Sequence, residues 1–193
     1  ERELLGSLQT LLSIIDVRDH YTYGHTMRVV EYSIALAEEM GLSPVQIKNI
    51  KYGALLHDVG KIEIDTKILN KKGPLTQEEY DIVKLHSEYV ANIVKPIFPL
   101  KSAIPIIRHH HEHFDGTGYP DGLKGEEIPI EARIIAVVDS FDAMTTDRPY
   151  KKAISYDEAV KKLIKNSMTQ FDPKAVKAFI RTLKKKGWWD TNE

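Results

Sequence analysis

The sequence predicts an all-α protein, a compact multi-helix bundle interrupted by one irregular, glycine-rich loop. Three observations carry this expectation. Apolar residues recur at helical spacing along most of the chain. Helix-start chemistry precedes several of these stripes, most clearly at Ser43-Pro44 and at Thr76-Gln77-Glu78-Glu79. Alternating strand patterns and internal repeats are missing.

Taken in order, Leu4, Leu5, Leu8, Leu11, Leu12 and Ile15 mark an opening helix, and Asp19 to Gly24 breaks its pattern. A second helix is expected from His25 to Met40, stopped by Gly41. Ser43 as N-cap and Pro44 as first helical residue open a third, whose Ile47, Ile50, Ala54, Leu55 and Leu56 lead to His57-Asp58 at a buried helix end. Lys71-Lys72-Gly73-Pro74 is a loop, and the Thr76 capping box then starts a helix carrying Ile82, Val83, Leu85 and His86. Helices follow around Ser87 to Val94 and Ile104 to His111. Phe114 to Glu127 holds four glycines and a proline, a composition suited to a lid or rim. Pro129 starts a deeply buried helix through Ile134, Ile135, Val137, Val138 and Phe141 to Met144, and the last helices begin near Tyr156 and Pro173. Arg181 to Lys186 reads as a solvated helix end whose cations complement the dipole. Trp188 and Trp189 cover an apolar edge or touch a neighbour.

Composition narrows the classes of function. A chain of 193 residues with 42% hydrophobic content supports one sizeable core. The 27 basic and 28 acidic residues nearly cancel, which argues against a broad surface for polymeric nucleic acid and makes any phosphate recognition local. With no cysteine, disulfides and thiolate metal sites are excluded, so metal ligands would be His, Asp or Glu. No apolar run approaches the roughly 20 residues of a membrane span, and Glu1-Arg2-Glu3 does not look like a signal peptide, so a cytoplasmic location is expected. The chain lacks an initiating methionine while a helical stripe already runs near its first residue, which reads as a fragment or processed form of something longer.

The chemistry concentrates in histidines and carboxylates. Successive residues His57 and Asp58 would point about 100° apart on a helix, able to serve two adjacent metal ions or bracket one. Alone, the dipeptide reads as a packed histidine. His109-His110-His111-Glu112-His113 closes an apolar helix; two of its imidazoles can reach two metals while His109 and His113 face solvent. Asp139 ends the apolar run Ile134-Ile135-Ala136-Val137-Val138, where an ionised carboxylate needs a cation, either a metal or a partner such as Arg133. His25 and His86 lie on ordinary amphipathic helices and, taken singly, read as packed residues.

Together the landmarks resemble the HD-GYP branch of the HD phosphohydrolase superfamily. They run from Asp19-His20-Tyr21-Thr22-Tyr23-Gly24-His25 and Arg28 through His57-Asp58-Val59-Gly60-Lys61 and Leu85-His86-Ser87 to His110-His111-Glu112. Asp115-Gly116-Thr117-Gly118-Tyr119-Pro120, Ala132-Arg133-Ile134, Asp139, Phe141-Asp142-Ala143-Met144-Thr145 and Arg148-Pro149-Tyr150 complete them, over nearly the whole chain. The resemblance implies an HD-domain helical bundle with residues 1–18 a helix able to continue an upstream linker, 19–187 the catalytic domain and 188–193 a tail. It implies a metal-dependent phosphodiesterase acting on the bacterial second messenger cyclic di-GMP. Its metal ligands would be His25, His57, Asp58, His86, His110, His111 and Asp139, with Asp58 the bridge and His20, His109 and His113 outside the set. Lys61 would stand beside the metal-bound solvent, Arg148 and Lys151 would engage substrate phosphate, and Gly118-Tyr119-Pro120 would line the substrate mouth. Relatives with a third metal carry Glu four residues before the first ligand histidine; Tyr21 there implies two metals, iron or manganese favoured over nickel, cobalt or zinc. An upstream sensor or receiver domain is implied as partner, and the first helix would join a homodimer or pack on this domain.

Two cations about 3.5–4 Å apart would acidify a shared water whose hydroxide attacks phosphorus, giving pGpG and/or GMP. Lys61 would orient that hydroxide or donate to phosphate, or else pair with Asp58 or Asp142. Arg148 offers planar donors and Lys151 a mobile charge, unless both are surface residues. Tyr119 would stack on guanine or bond phosphate, unless its loop is a turn only; Asp142 is expected to orient a ligand histidine or Lys61. The alternatives are an HD hydrolase of another nucleotide and a non-catalytic module that binds cyclic di-GMP or protein.

Overall fold

A computed structural model describes residues 2–16, 22–147 and 152–190. Tyr21, Arg148 and Lys151, and with them the expectations about a third metal and phosphate contacts, lie outside the described residues. The described residues form α-helices joined by turns and 3-10 segments, with no strand.

The core is built on three helices, because they carry the longest apolar faces. Helix α2 (Thr22–Glu39) packs against both α3 (Pro44–Leu56) and α8 (Ile130–Thr145), and Val29, Leu36, Ile50, Leu55, Ile134, Val138 and Phe141 are withdrawn from solvent between them. Helix α1 (Arg2–Asp16) lays Leu8 and Leu12 into the same core, so on the described residues it packs on this domain. Short α4 (Thr66–Leu69), α5 (Gln77–Lys84), α6 (His86–Val94) and α7 (Ile104–His109) form one side. Helices α9 (Tyr156–Lys165) and α10 (Pro173–Lys185) close the other, α10 burying Val176, Phe179 and Leu183.

The predicted starts at Ser43 and Thr76 hold in detail. Ser43 accepts from the Gln46 amide and Gln46 answers to the Ser43 amide, and Thr76 and Glu79 do the same for α5. Several ends differ. Helix α2 begins at Thr22, three residues before His25, and α7 stops at His109. The expected separation of two helices is present, but the break falls at Leu85, so His86 opens α6 rather than closing α5, and Ile82 and Leu85 are exposed. Periodicity does not fix such a boundary to the residue, because two short helices joined by one residue keep the apolar spacing. Asp58 is not on a helix with His57: His57 caps α3, and Asp58 precedes the 3-10 segment Val59–Glu63.

The basic helix end is solvated as expected, with Arg181, Lys184, Lys185 and Lys186 exposed, and Arg181 and Lys185 also pair with Glu39 of α2, at 2.8 and 2.7 Å. Trp188 packs on Tyr32 at 4.7 Å between ring centroids, and Trp189 Nε1 donates to Asp157 at 2.6 Å. Both tryptophans therefore cover an edge of this domain. No helix among the described residues is long and apolar enough to cross a membrane.

Candidate metal centre

Histidine side chains at helix ends build the site. A helix leaves its last carbonyls without an amide partner. The Nδ1–H of His57 donates to Ala54 O at 2.8 Å in the last turn of α3, that of His86 to Val83 O at 2.6 Å in α5, and that of His110 to Ile107 O at 2.7 Å in α7. Because a carbonyl can only accept, each bond puts the proton on Nδ1 and leaves the Nε2 lone pair pointing away from the helix. All three Nε2 atoms are buried with no hydrogen-bond partner. An unmatched buried polar atom costs about 1–3 kcal/mol. Three converging in one place describe a cation site.

His25 reaches the same point from α2 by a different route. Its Nδ1 lies 2.7 Å from Asp142 Oδ2, and Asp142 is itself held by Arg28, with Nε to Oδ1 at 2.6 Å and Nη2 to Oδ2 at 3.0 Å. The expected orienting role of Asp142 thus falls on His25, while Lys61 pairs with Asp58. His25 Nε2 faces Asp139 Oδ1 at 3.2 Å. Asp139 also stands 4.0 Å from His57 Nε2, whereas the alternative partner Arg133 is engaged with Asp172 at 2.6 Å.

Asp58 joins two groups of donors. His25, His57 and Asp58 form one, and Asp58, His86, His110 and His111 form the other. Its Oδ2 lies 3.5 Å from His57 Nε2 and 4.0 Å from His25 Nε2, while Oδ1 lies 3.7 Å from His86 Nε2. Two ligand atoms about 2.1 Å from one ion and about 90–110° apart stand roughly 3.0–3.4 Å from each other. These spacings therefore fit a divalent ion with modest contraction, and the donors, imidazole nitrogen and carboxylate oxygen, suit such an ion.

Electrostatics support the same division. Burial lowers the affinity of His86, His110 and His111 for protons, reinforced in each case by neighbouring positive groups, with His111 brought down to about 3. These imidazoles stay neutral, as ligands must. Burial also acts on His25, but hydrogen bonds to Asp139 and Asp142 outweigh it and raise it to about 9, so two carboxylates make that position strongly receptive to positive charge. Burial opposes ionisation of Asp58, yet Lys61 and the histidines around it hold it well below the usual carboxylate range.

Two glycines make the assembly possible by close approach. A Cβ on Gly60 would stand 1.9 Å from the His86 carbonyl oxygen, so only glycine lets the segment after Asp58 lie against the start of α6. A Cβ on Gly118 would stand 2.2 Å from His113 N and 2.5 Å from Glu112 Cα. Gly118 thus seats its loop on the backbone beside the histidines and brings Tyr119 to stack on His111, with centroids 4.9 Å apart and planes at 28°.

The loop is further tied at Asp121, which accepts from Arg108 at 2.7 Å and faces His109 Nε2 at 2.9 Å. Glu112 accepts from the Asp121 and Gly122 amides at 2.8 and 3.1 Å. His109 is therefore a loop anchor, and His113 contacts Thr117 at 3.0 Å. Sequence reasoning did not give Glu112 or Arg108 these roles. For Glu112 the available signal was a carboxylate adjoining the histidine cluster.

Comparison with known proteins gives the chain a family. A family model described as HD domain matches residues 9–175. The chain belongs to the HD domain family. This HD domain is 43% identical over 182 residues to a cyclic di-GMP phosphodiesterase of Thermotoga maritima, covering 92% of the chain and 49% of that protein. It is 40% identical to the cyclic di-GMP phosphodiesterase response regulator RpfG of Xanthomonas campestris, covering 94% and 48%. A 3'3'-cGAMP-specific phosphodiesterase of Vibrio cholerae is 36% identical, covering 88% and 37%. Among solved structures, an HDG"Y"P protein from Bdellovibrio bacteriovorus superposes with a TM-score of 0.67 at 26% identity, covering 83% and 51%. The resemblance to HD-GYP proteins is borne out, and the chain spans about half or less of the length of these curated relatives.

Proposed function

We propose that this HD domain hydrolyses cyclic di-GMP to pGpG and/or GMP with two divalent metal ions. The observation that carries the reading is the pair of donor groups sharing Asp58, one carboxylate oxygen turned toward each. His25, His57, Asp58 and Asp139 would hold one ion, and Asp58, His86, His110 and His111 the other. When bound, such ions supply Lewis acidity toward phosphoryl oxygens and an acidified water. Iron or manganese is favoured for imidazole and carboxylate donors, with nickel, cobalt and zinc also compatible.

The chain's own groups do the rest. Lys61 Nζ sits 2.7 Å from Asp58 Oδ2, and its side chain is only partly covered. One N–H holds the shared carboxylate; the others are available to a phosphate oxygen, adding positive charge where negative charge develops. Asp142 keeps the His25 proton on Nδ1, and the carbonyls of Ala54, Val83 and Ile107 do the same for His57, His86 and His110. Tyr119 covers one face of His111 and, with Gly118 and Pro120, would line the substrate mouth. Arg148 and Lys151 would bind the second phosphate, an assignment that rests on the motif alone.

The match to a response regulator supports an upstream receiver or sensor domain as the source of control. A homodimer and a cytoplasmic location are part of the same reading. A second substrate is favoured by one specific observation, the 36% identity to a 3'3'-cGAMP-specific enzyme.

Purified protein loaded anaerobically with iron or manganese should linearise cyclic di-GMP, followed by product chromatography, and Asp58→Ala should abolish turnover. No product with any of the five metals refutes hydrolysis; tight binding without product would favour a signalling module instead.

A further inference from the structure

Helix α5 stands at the rim of the metal centre and buries none of its residues, so its side chains serve no core. It nevertheless presents an aromatic ring, Tyr80, that is 42% exposed. The Tyr80 ring meets Tyr119 edge-on, with centroids 6.4 Å apart and planes at 83°. Tyr119 in turn stacks on His111, a candidate ligand. Three rings thus step outward from the buried centre to solvent. Lys84 lies across the outer step, its Nζ 4.6 Å from the Tyr80 centroid and 5.9 Å from that of Tyr119. Asp81 Oδ1 accepts one of its N–H groups at 2.7 Å.

We infer that Tyr80 and Lys84 form a base-contact ledge that receives one purine of the cyclic dinucleotide and favours guanine over adenine. The inference rests on the phosphodiesterase reading above. A nucleotide with its phosphate at the metal centre carries its base one sugar ring further out, and Tyr80 lies two ring contacts outward from His111, through Tyr119. An exposed phenol face offers stacking that any base can use. Lys84 supplies the discrimination. Guanine presents the adjacent acceptors O6 and N7, which suit an ammonium, whereas adenine puts an amino donor in place of O6. The ordinary alternative, a solvated i, i+4 pair on a surface helix, predicts no effect on substrate choice.

The test uses metal-loaded protein with cyclic di-GMP, 3'3'-cGAMP and cyclic di-AMP, together with equilibrium binding of each to wild type and variants. Tyr80→Ala should raise KM and Kd about ten- to hundred-fold for all three, with kcat changed less than about threefold, and Tyr80→Phe, which keeps the ring, should restore both. Lys84→Gln should cut the preference for cyclic di-GMP over cyclic di-AMP about tenfold or more, the scale of a lost base-edge contact. Metal content and melting temperature should match wild type, separating the ledge from damage to α5. If wild type neither binds nor turns over any dinucleotide, the phosphodiesterase reading fails and the ledge with it. If wild type is active and both Tyr80→Ala and Lys84→Gln leave KM and the guanine-to-adenine ratio unchanged, the ledge alone is overturned.

Discussion

Replacing Asp142 with asparagine should weaken one metal position and spare the other. Asp142 receives three N–H groups, Nε and Nη2 of Arg28 at 2.6 and 3.0 Å and Nδ1 of His25 at 2.7 Å. An asparagine has one acceptor oxygen and one NH2 group, so it cannot accept all three N–H groups. If the oxygen takes the Oδ1 position against Arg28 Nε, the amide NH2 takes the Oδ2 position and faces His25 Nδ1, and the imidazole relieves the clash of donors by moving its proton to Nε2. That proton then points at Asp139, 3.2 Å away, and the lone pair that would bind metal is lost. Removing a group that orients a ligand typically costs 10–100-fold in metal affinity, or about 1.4–2.8 kcal/mol. The other position should be untouched, because His86 and His110 take their orientation from backbone carbonyls. Calorimetric titration of chelator-treated protein with Mn2+ reads this directly: one of two binding steps weakens and the second keeps its affinity. An unchanged isotherm, or equal weakening of both steps, would refute the reasoning.

Other consequences can be measured independently. Mn2+ at about 100 times its Kd should stabilise the chelator-treated protein by about 2.7 kcal/mol for each position filled, a rise of about 5–10 °C in melting temperature per position; Asp58→Ala, which takes a ligand from both groups, should remove most of that shift. Gly118→Ala should push the loop off the Glu112 and His113 backbone, costing about 1–3 kcal/mol and lowering turnover, whereas Gly6→Ala, with nothing within 4 Å of the new methyl group, should be neutral or stabilising by about 0.5–1 kcal/mol in denaturant melts. Arg133→Ala should cost about 3–5 kcal/mol in the same melts by stranding the buried Asp172 carboxylate, while leaving metal stoichiometry at the wild-type value.

Much of the fold is local in origin and can be read without a structure. Ser43, Thr76, Ser155 and Asp172 each bond amides within three residues of themselves, so helix starts depend on neighbours already visible in the chain. The apolar run before Asp139 likewise announces a buried helix, and Ile134, Ile135, Val137 and Val138 are buried, with Ala136 only partly so. The break at Leu85 and the displacement of Asp58 from α3 are different. They depend on where His86 and the Gly60 backbone meet, a contact between segments 26 residues apart in the chain, about which spacing says nothing.

The site divides in the same way. Residue types and motif order point to metal and, through the family, to a phosphodiester substrate, because ligand chemistry is a property of side chains. Which imidazole nitrogen carries the proton is set by carbonyls at helix ends and, for His25, by Asp142, 117 residues away. That His25 and His86 belong with His57 at all, when each alone reads as a packed histidine, follows from the convergence of α2, α3 and α6 around Asp58. The chain's composition and motifs therefore specify which ligands it has to offer, whereas only packing of distant helices turns their lone pairs toward one point, since direction in space is set by contacts that sequence separation does not encode.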